Sequence, residues 1–89
     1  MIRFIFTEKC NADFNGLPSN VQARVTSKLT QLKSHPDIMS VLKRLQYIMP
    51  PTYSLRIGNY RMLLNIKGAI KSGPVFWVTK IAHRRNVYN

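Results

Sequence analysis

The sequence predicts an α+β fold, in which an antiparallel sheet carries helices on one of its faces. The first observation is the order of the hydrophobic patterns, which reads strand, helix, helix and then four strands. The second is a tight-turn signal, Gly58-Asn59, inside the alternating segment 53–66. The third is the length, because 89 residues are enough for one domain, here 1–89, and no more.

Two helices are predicted in the first half of the chain. A short helix over residues 8–16 ends at Leu17-Pro18, where proline breaks the pattern. Ser19 and Gln22 have the spacing of a capping box and predict the start of a second helix, which continues to about Ser34. Its apolar side chains recur at helical spacing and predict one buried stripe, formed by Val21, Val25, Leu29 and Leu32.

The central hairpin is predicted in register. A two-residue turn at Gly58-Asn59 pairs Ile57 with Tyr60 and Arg56 with Arg61. Two arginines directly across a strand pair repel each other, at a cost of about 0.2–1 kcal/mol. We therefore interpret this pair as part of a site for an anion. The other face of the hairpin is apolar and is predicted to face the core: Tyr53, Leu55, Ile57, Tyr60, Met62, Leu64 and Ile66.

The remaining strands are predicted from β-prone runs. These runs cover residues 2–6, 45–48 and 75–82, and residues 67–74 are predicted to form a loop.

The register of the last two strands decides which cations meet. Pairing Ile66 with Val75 would place Arg61 opposite Lys80. Arg56, Arg61 and Lys80 would then line up across three strands, on the face away from the core.

The charge of the chain predicts a polyanionic partner. Lys and Arg number 14 against three acids, for a net charge of +11, and no acid follows Asp37. Such an excess favours binding to a phosphate backbone, to an acidic protein, or to both. The lone Cys10 is predicted to be buried and excludes an internal disulfide and a multi-cysteine metal site. We expect a cytoplasmic protein that uses no metal or other cofactor and no membrane.

The basic tail is the second candidate for function. Residues 80–89 place Arg84 and Arg85 before Tyr88, a pattern suited to RNA, in which arginine holds phosphates and an aromatic ring stacks on a base. His83 could donate a proton near neutral pH. Alternatively, His83 is a surface polar residue at the end of a strand, and Tyr88 packs against the core at the end of the chain.

These segments together resemble the RelE/ParE superfamily of toxins from bacterial and archaeal toxin–antitoxin pairs. The resemblance covers nearly the whole chain and is carried most specifically by Arg56–Arg61 followed by His83–Tyr88, after Leu17-Pro18 and residues 32–36. It implies a microbial-RNase-like α+β fold, with an N-terminal helical hairpin packed on a four- to five-stranded antiparallel sheet.

The RelE branch of the superfamily implies a ribosome-dependent endoribonuclease that cuts mRNA and inhibits translation. By position, Arg61 matches the arginine that stabilises the phosphate, and Arg56 matches the second of two strand lysines, the proposed base. Ser54 stands where the first lysine is expected. The tail arginine proposed as acid corresponds to Arg84, or to His83. Tyr88 matches the tyrosine that stacks on the substrate base.

Further RNA contacts are assigned to Lys43, Arg44, Lys80 and Arg85, and the partners implied are the ribosome, mRNA and a cognate antitoxin with an acidic, partly disordered segment.

One departure from the family weakens the assignment of a base. A guanidinium has a pKa above about 12 and is a poor general base, so catalysis would be electrostatic and positional, with His83 as the proton carrier. The alternatives are a ParE-like inhibitor of DNA gyrase and a non-catalytic basic nucleic-acid-binding module. In the RNase interpretation, Arg61→Ala should cut toxicity severely and leave stability unchanged or slightly raised, and the control Arg24→Ala should retain toxicity.

Overall fold

The chain folds into two helices and one five-stranded sheet. The structure, a computed structural model, describes residues 2–45, 51–70 and 73–85. The elements are β1 (Arg3–Phe6), α1 (Glu8–Asn15), α2 (Ser19–Leu32), a 3-10 turn (Ile38–Ser40), β2 (Lys43–Leu45), β3 (Thr52–Ile57), β4 (Tyr60–Ile70) and β5 (Gly73–His83). Their order confirms the predicted α+β fold with its N-terminal helical hairpin.

The sheet is mixed, with the strand order β1-β5-β4-β3-β2. The three hairpin-type pairs are antiparallel as predicted, but β1 pairs with β5 in parallel. The prediction of a wholly antiparallel sheet is therefore wrong for this one pair. The reason is that helices follow β1, so no tight turn sets its direction relative to a neighbouring strand. Phe4 and Phe76 stack across the parallel pair, with ring centroids 5.7 Å apart.

Both helices share one hydrophobic core with the sheet. The predicted stripe of α2 is buried, and it packs in a single cluster with Met62, Leu64, Phe76 and Val78, which are fully buried. Cys10 of α1 belongs to the same cluster, as its sequence predicted. Ile66 lies at the edge of the predicted core face and is 41% exposed. The helices cover one face of the sheet. The opposite face is formed by the alternate side chains of the strands.

The junction between the helices differs from the predicted capping box. Pro18 is the N-cap residue of α2, and no side chain caps this end. Gln22 instead caps the end of α1, because its Nε2 donates to the carbonyl oxygens of Phe14 at 2.9 Å, Leu17 at 3.2 Å and Asn15 at 3.3 Å. The amide thus ties the end of one helix to the start of the next.

The β4–β5 hairpin is longer than the sequence suggested. The predicted loop over 67–74 is wrong, because β4 continues to Ile70 and β5 begins at Gly73. A bulge interrupts the pairing at Thr79, since Leu63 pairs with Lys80 and Leu64 already pairs with Val78. The hydroxyl of Thr79 donates to the carbonyl oxygen of Leu63 at 3.2 Å and holds the bulge in place.

The strand predicted over 45–48 begins earlier than expected. Lys43 to Leu45 form β2, and residues 46–48 lie outside the described part of the chain. None of the described helices is both long and apolar enough to cross a membrane.

Candidate nucleic-acid interface

The predicted pairing of two arginines across the central hairpin is confirmed. Arg56 lies opposite Arg61, on the sheet face that does not pack against the helices. Their guanidinium groups turn apart, however. Arg61 Nη1 donates to Ser54 Oγ at 3.0 Å, whereas Arg56 Nε donates to the carbonyl oxygen of Gly58 at 3.1 Å, towards the hairpin turn. Each cation has its own uncharged acceptor, an arrangement that relieves the repulsion between them.

Ser54 positions Arg61. The serine is only 1% exposed, and its register partner is Leu63, so it lies diagonally across from Arg61 on the same face. The sequence indicated Ser54 only as a departure from a family lysine, and its role in positioning Arg61 was not predicted. The signal was available, because residues diagonal to each other across an antiparallel pair are within reach of a long side chain.

Lys80 shares a face with Arg61, but at a different register position. Arg61 pairs with Ala82 and Lys80 pairs with Leu63, so the predicted Arg61–Lys80 pair is wrong by two residues. The reason is that the β4–β5 ladder closes with the pair Ile70–Gly73 and does not pair Ile66 with Val75. The bulge at Thr79 and the irregularity between Ile66 and Ala69 each shift the register by one residue, in opposite directions, and cancel. We call the sheet face that carries Arg56, Arg61 and Lys80 the open face.

The two cations of β2 point to opposite sides of the sheet. Lys43 pairs with Ser54 and therefore shares the open face, whereas Arg44 pairs with Tyr53 on the helix-bearing face. The structure thus does not bring both predicted RNA contacts to one surface. Successive residues of a strand alternate in direction, so adjacent cations on a strand cannot serve the same ligand face.

His83 lies on the helix-bearing face, opposite Tyr60. The two rings contact edge to face, with centroids 5.5 Å apart. His83 Nδ1 accepts a hydrogen bond from the backbone N–H of Arg85 at 3.3 Å. The structure therefore does not place His83 beside Arg61, and its predicted role as proton carrier gains no geometric support.

The basic tail begins beside the hairpin turn. The backbone N–H of Arg84 donates to the carbonyl oxygen of Asn59 at 2.8 Å, and the side chains of Arg84 and Arg85 are exposed. This hydrogen bond brings the start of the tail to the same end of the sheet as Arg56. Tyr88, the predicted stacking residue, lies outside the described residues.

The acidic side chains lie away from the open face. Glu8 and Asp13 belong to α1, where Asp13 forms an ion pair with Lys9 at 3.5 Å, and Asp37 precedes the 3-10 turn. Arg56 and Arg61 are each held by a neutral oxygen atom, and among the described residues the ion pair found is Lys9–Asp13, away from both arginines. Among the described residues, no three His, Cys, Asp or Glu side chains are grouped so that they could hold a metal ion.

The fold of this chain, and not its sequence, matches known proteins. No protein-family model and no curated protein matches the sequence. The RelBE2 toxin–antitoxin complex of Mycobacterium tuberculosis matches with a TM-score of 0.73 and 24% identity, over 92% of this chain and 96% of that one. The archaeal RelE–RelB complex of Pyrococcus horikoshii matches with a TM-score of 0.68 and 17% identity, over 97% and 98% of the two chains. The chain has the RelE toxin fold.

A third RelE structure extends the comparison. The intact RelBE toxin–antitoxin complex of E. coli matches with a TM-score of 0.62 and 26% identity, over 91% of this chain and 94% of that chain. The RelE fold agrees with the resemblance drawn from the hairpin and tail motifs. The roles assigned to individual residues remain predictions, which the geometry of the open face now makes specific.

Proposed function

We propose that this chain is the toxin of a type II toxin–antitoxin pair and that it inhibits translation by cutting mRNA on the ribosome. The observation that supports this proposal is the position of Arg61. In a RelE fold, it presents a guanidinium on the open face, oriented by Ser54 and flanked by Arg56 on one strand and Lys80 on the other. Phosphate recognition is the chemistry that such a cluster performs best.

The proposed reaction uses a nucleophile that RNA itself supplies. The 2′-hydroxyl attacks the adjacent phosphorus, the bond to the 5′-oxygen breaks, and the products are a 2′,3′-cyclic phosphate and a 5′-hydroxyl. Arg61 would neutralise the charge that develops on the non-bridging oxygens. Its fixed orientation lowers the cost of reaching the transition state, since the hydrogen bond to Ser54 is already formed.

In this proposal the proton of the 2′-hydroxyl passes to water or to a ribosomal group, and the leaving 5′-oxygen takes a proton from the same sources. Arginine is a poor base, and His83 lies on the other face of the sheet. We therefore assign most of the rate effect to Arg61 and to alignment of the RNA, with the ribosome as the second component of the site.

The proposed protein partner is an antitoxin. The structures from M. tuberculosis and E. coli are toxin–antitoxin complexes. The net charge of +11 on this chain suits a partner segment rich in Asp and Glu. Such a segment can fold on binding and cover a large surface.

The test is cleavage of a defined mRNA in a purified translation system, with the ends mapped by primer extension. Wild-type protein should produce new 5′ ends only when ribosomes are present, and Arg61→Ala should produce few or none. Lys33→Ala is the matched control, because Lys33 is exposed at the end of α2. Arg24 is unsuitable as a control, since its guanidinium reaches the hairpin turn at Gly58. Intact mRNA together with inhibition of DNA supercoiling by gyrase would overturn the proposal in favour of the ParE-like alternative.

A further inference from the structure

The only tryptophan of the chain lies on the open face. Trp77 of β5 pairs with Asn65 of β4, and Asn65 follows Arg61 by four residues on the same strand. Residues an even number apart on a strand share a face, as do direct register partners, so all three belong to the open face. Four residues of strand separate Asn65 from Arg61 by about 13 Å. Trp77 is half-buried, and part of its surface therefore stays accessible.

The bulge at Thr79 puts the tryptophan on the same face as Lys80. The two residues are three positions apart, so a regular strand would point them to opposite sides of the sheet. The register instead pairs Trp77 with Asn65 and Lys80 with Leu63, and these partners are two residues apart on β4. The hydroxyl of Thr79, the extra residue, holds the bulge through its hydrogen bond to the carbonyl oxygen of Leu63 at 3.2 Å. Bulges that re-aim a side chain in this way are common beside active sites.

The side chain of Asn65 carries an unsatisfied acceptor. Its Oδ1 is buried and has no hydrogen-bond partner among the described residues, although the residue as a whole is only half-buried. A buried acceptor without a donor is destabilising. Rotation about the last side-chain torsion, which has a broad energy profile, turns this oxygen towards the open face. The amide can then present one acceptor and two donors to a ligand beside Trp77.

An aromatic ring next to such an amide matches an unpaired nucleobase. The ring stacks on any base, whereas the amide distinguishes bases by their hydrogen-bonding edges. Asparagine suits adenine, because Oδ1 accepts from the N6 amino group while Nδ2 donates to N7. The flanking residues on this face are uncharged, since Ile5 of β1 pairs with Trp77 and Thr52 of β3 pairs with Asn65. No carboxylate of these four residues repels an RNA strand.

We propose that Trp77 and Asn65 form a base-binding subsite for the RNA substrate, in which the indole stacks on an unpaired adenine and the amide reads its edge. This inference rests on the proposed function for the assignment of the open face to RNA. It adds two specificity-determining residues to the phosphate site at Arg61. Lys80 lies at the register position between them and supplies a positive charge for the connecting phosphates.

The first measurement uses the fluorescence of Trp77, the single indole of the protein. The probes are a single-stranded oligoadenylate of about six nucleotides and an abasic ribose-phosphate strand of the same length. Both strands carry the same charge, but only the first brings bases that can stack on the ring. We expect the oligoadenylate to quench the emission and the abasic strand to bind with little quenching. Equal quenching by the two bound strands would overturn the proposal.

The second measurement compares the affinities for labelled oligoadenylate and oligouridylate by fluorescence anisotropy. Trp77→Leu should weaken binding of both strands about tenfold, the effect of losing one stacked base, and Trp77→Tyr should retain most of the affinity. Asn65→Leu should lose the preference for oligoadenylate, which we expect to be at least about fivefold in the wild-type protein. Tyr53→Leu is the matched control, because Tyr53 is a half-buried aromatic residue on the helix-bearing face, where it pairs with Leu64.

Circular dichroism establishes that each variant is folded, and the titration of the wild-type protein tests stacking without any variant. A folded Trp77→Leu protein with wild-type affinity would contradict the stacking role, as would an equal loss in Tyr53→Leu. An unchanged preference in Asn65→Leu would contradict base reading by the amide.

These binding measurements require neither ribosomes nor cleavage, so the two proposals can fail separately. Quenching of Trp77 by RNA together with intact mRNA on ribosomes would contradict the proposed cleavage alone. Cleaved mRNA together with bound RNA that leaves the Trp77 emission unchanged would contradict the subsite alone.

Discussion

Arg56 and Arg61 lie directly opposite each other on β3 and β4, and their guanidinium groups point in opposite directions along the strands. Arg61 turns to Ser54 and Arg56 turns to the carbonyl oxygen of Gly58. The two guanidinium groups therefore do not converge on one spot, although their residues are direct register partners. Each group is fixed by a neutral acceptor, which separates Arg61, the arginine proposed to bind phosphate, from Arg56, which turns towards the hairpin turn.

Arg61→Ala should lower the free energy of unfolding by about 1 kcal/mol. The sequence alone suggested no loss, since removal of Arg61 relieves repulsion by Arg56. The structure adds an opposing effect, because the buried hydroxyl of Ser54 loses its donor. Urea denaturation of Arg61→Ala, Ser54→Ala and the double variant forms a double-mutant cycle, in which the double variant should cost less than the two single changes together. Strict additivity would show that the hydrogen bond contributes nothing.

Arg61→Ala should also reduce cleavage by a factor of about 100 or more, the usual effect of removing one donor to a transition-state oxyanion. Ser54→Ala should have a smaller effect of the same kind, because the guanidinium remains but is no longer oriented. Single-turnover cleavage on ribosomes measures both. A folded Arg61→Ala protein with wild-type cleavage would rule out the open face as the active face.

Gly58→Ala should destabilise the protein by about 1–2 kcal/mol. Gly58 has a φ of +58°, which a side chain tolerates poorly, and the new Cβ would meet the guanidinium of Arg24. Gly16→Ala is the matched control. Its backbone is right-handed, and a Cβ there would make only ordinary contacts at 3.6 Å and beyond, so stability should be unchanged or slightly raised. Thermal denaturation measures both variants. Equal shifts of the two denaturation midpoints would contradict this prediction.

Gln22→Ala should lower the free energy of unfolding by about 1 kcal/mol or slightly more. The amide donates to three carbonyl oxygens at the junction between α1 and α2, and all three hydrogen bonds are lost in the variant. The carbonyl oxygen of Phe14 keeps the backbone N–H of Leu17 as a donor at 3.1 Å, which limits the loss. Gln31→Ala, an exposed change on the same helix, tests whether loss of any glutamine has this effect. Equal denaturation midpoints for the two variants would show that the junction does not depend on this amide.

The Cys10 thiol should resist chemical modification in the folded protein. It should also make the free energy of unfolding decrease as the pH becomes alkaline. Burial raises its pKa from 9.0 to about 12, with the charge of Asp13 acting in the same direction and Lys9 in the opposite one. The folded state therefore favours the neutral thiol. Its stabilising contribution is fully present below about pH 9 and is lost as the pH rises towards 12.

Two measurements test this expectation. A thiol reagent at pH 8 should modify Cys10 only in urea-unfolded protein. The difference in unfolding free energy between the wild-type protein and Cys10→Ala should also decrease as the pH is raised above 9. Rapid modification of the folded protein would contradict the burial of the thiol.

The sequence by itself determined the element order, the buried stripe of α2 and the register of the β3–β4 hairpin. These features depend on local chemistry: helical spacing of apolar side chains and a turn at Gly58-Asn59 that admits only one pairing. The family resemblance of the hairpin and tail likewise lies in contiguous residues, and the RelE fold agrees with it.

Tertiary structure decided the parallel placement of β1, the position of Lys80 relative to Arg61 and the face of His83. The β4–β5 ladder closes at Ile70–Gly73, inside the segment predicted as a loop, and this closure sets the pairing of Arg61 with Ala82 and of Leu63 with Lys80. A groove between α2 and β3 joins residues more than thirty positions apart, such as Arg24 and Gly58. Contacts of this kind depend on how the whole core packs, because that packing decides which exposed side chains come together. The exposed residues themselves have no periodic pattern in the sequence that would predict the contact.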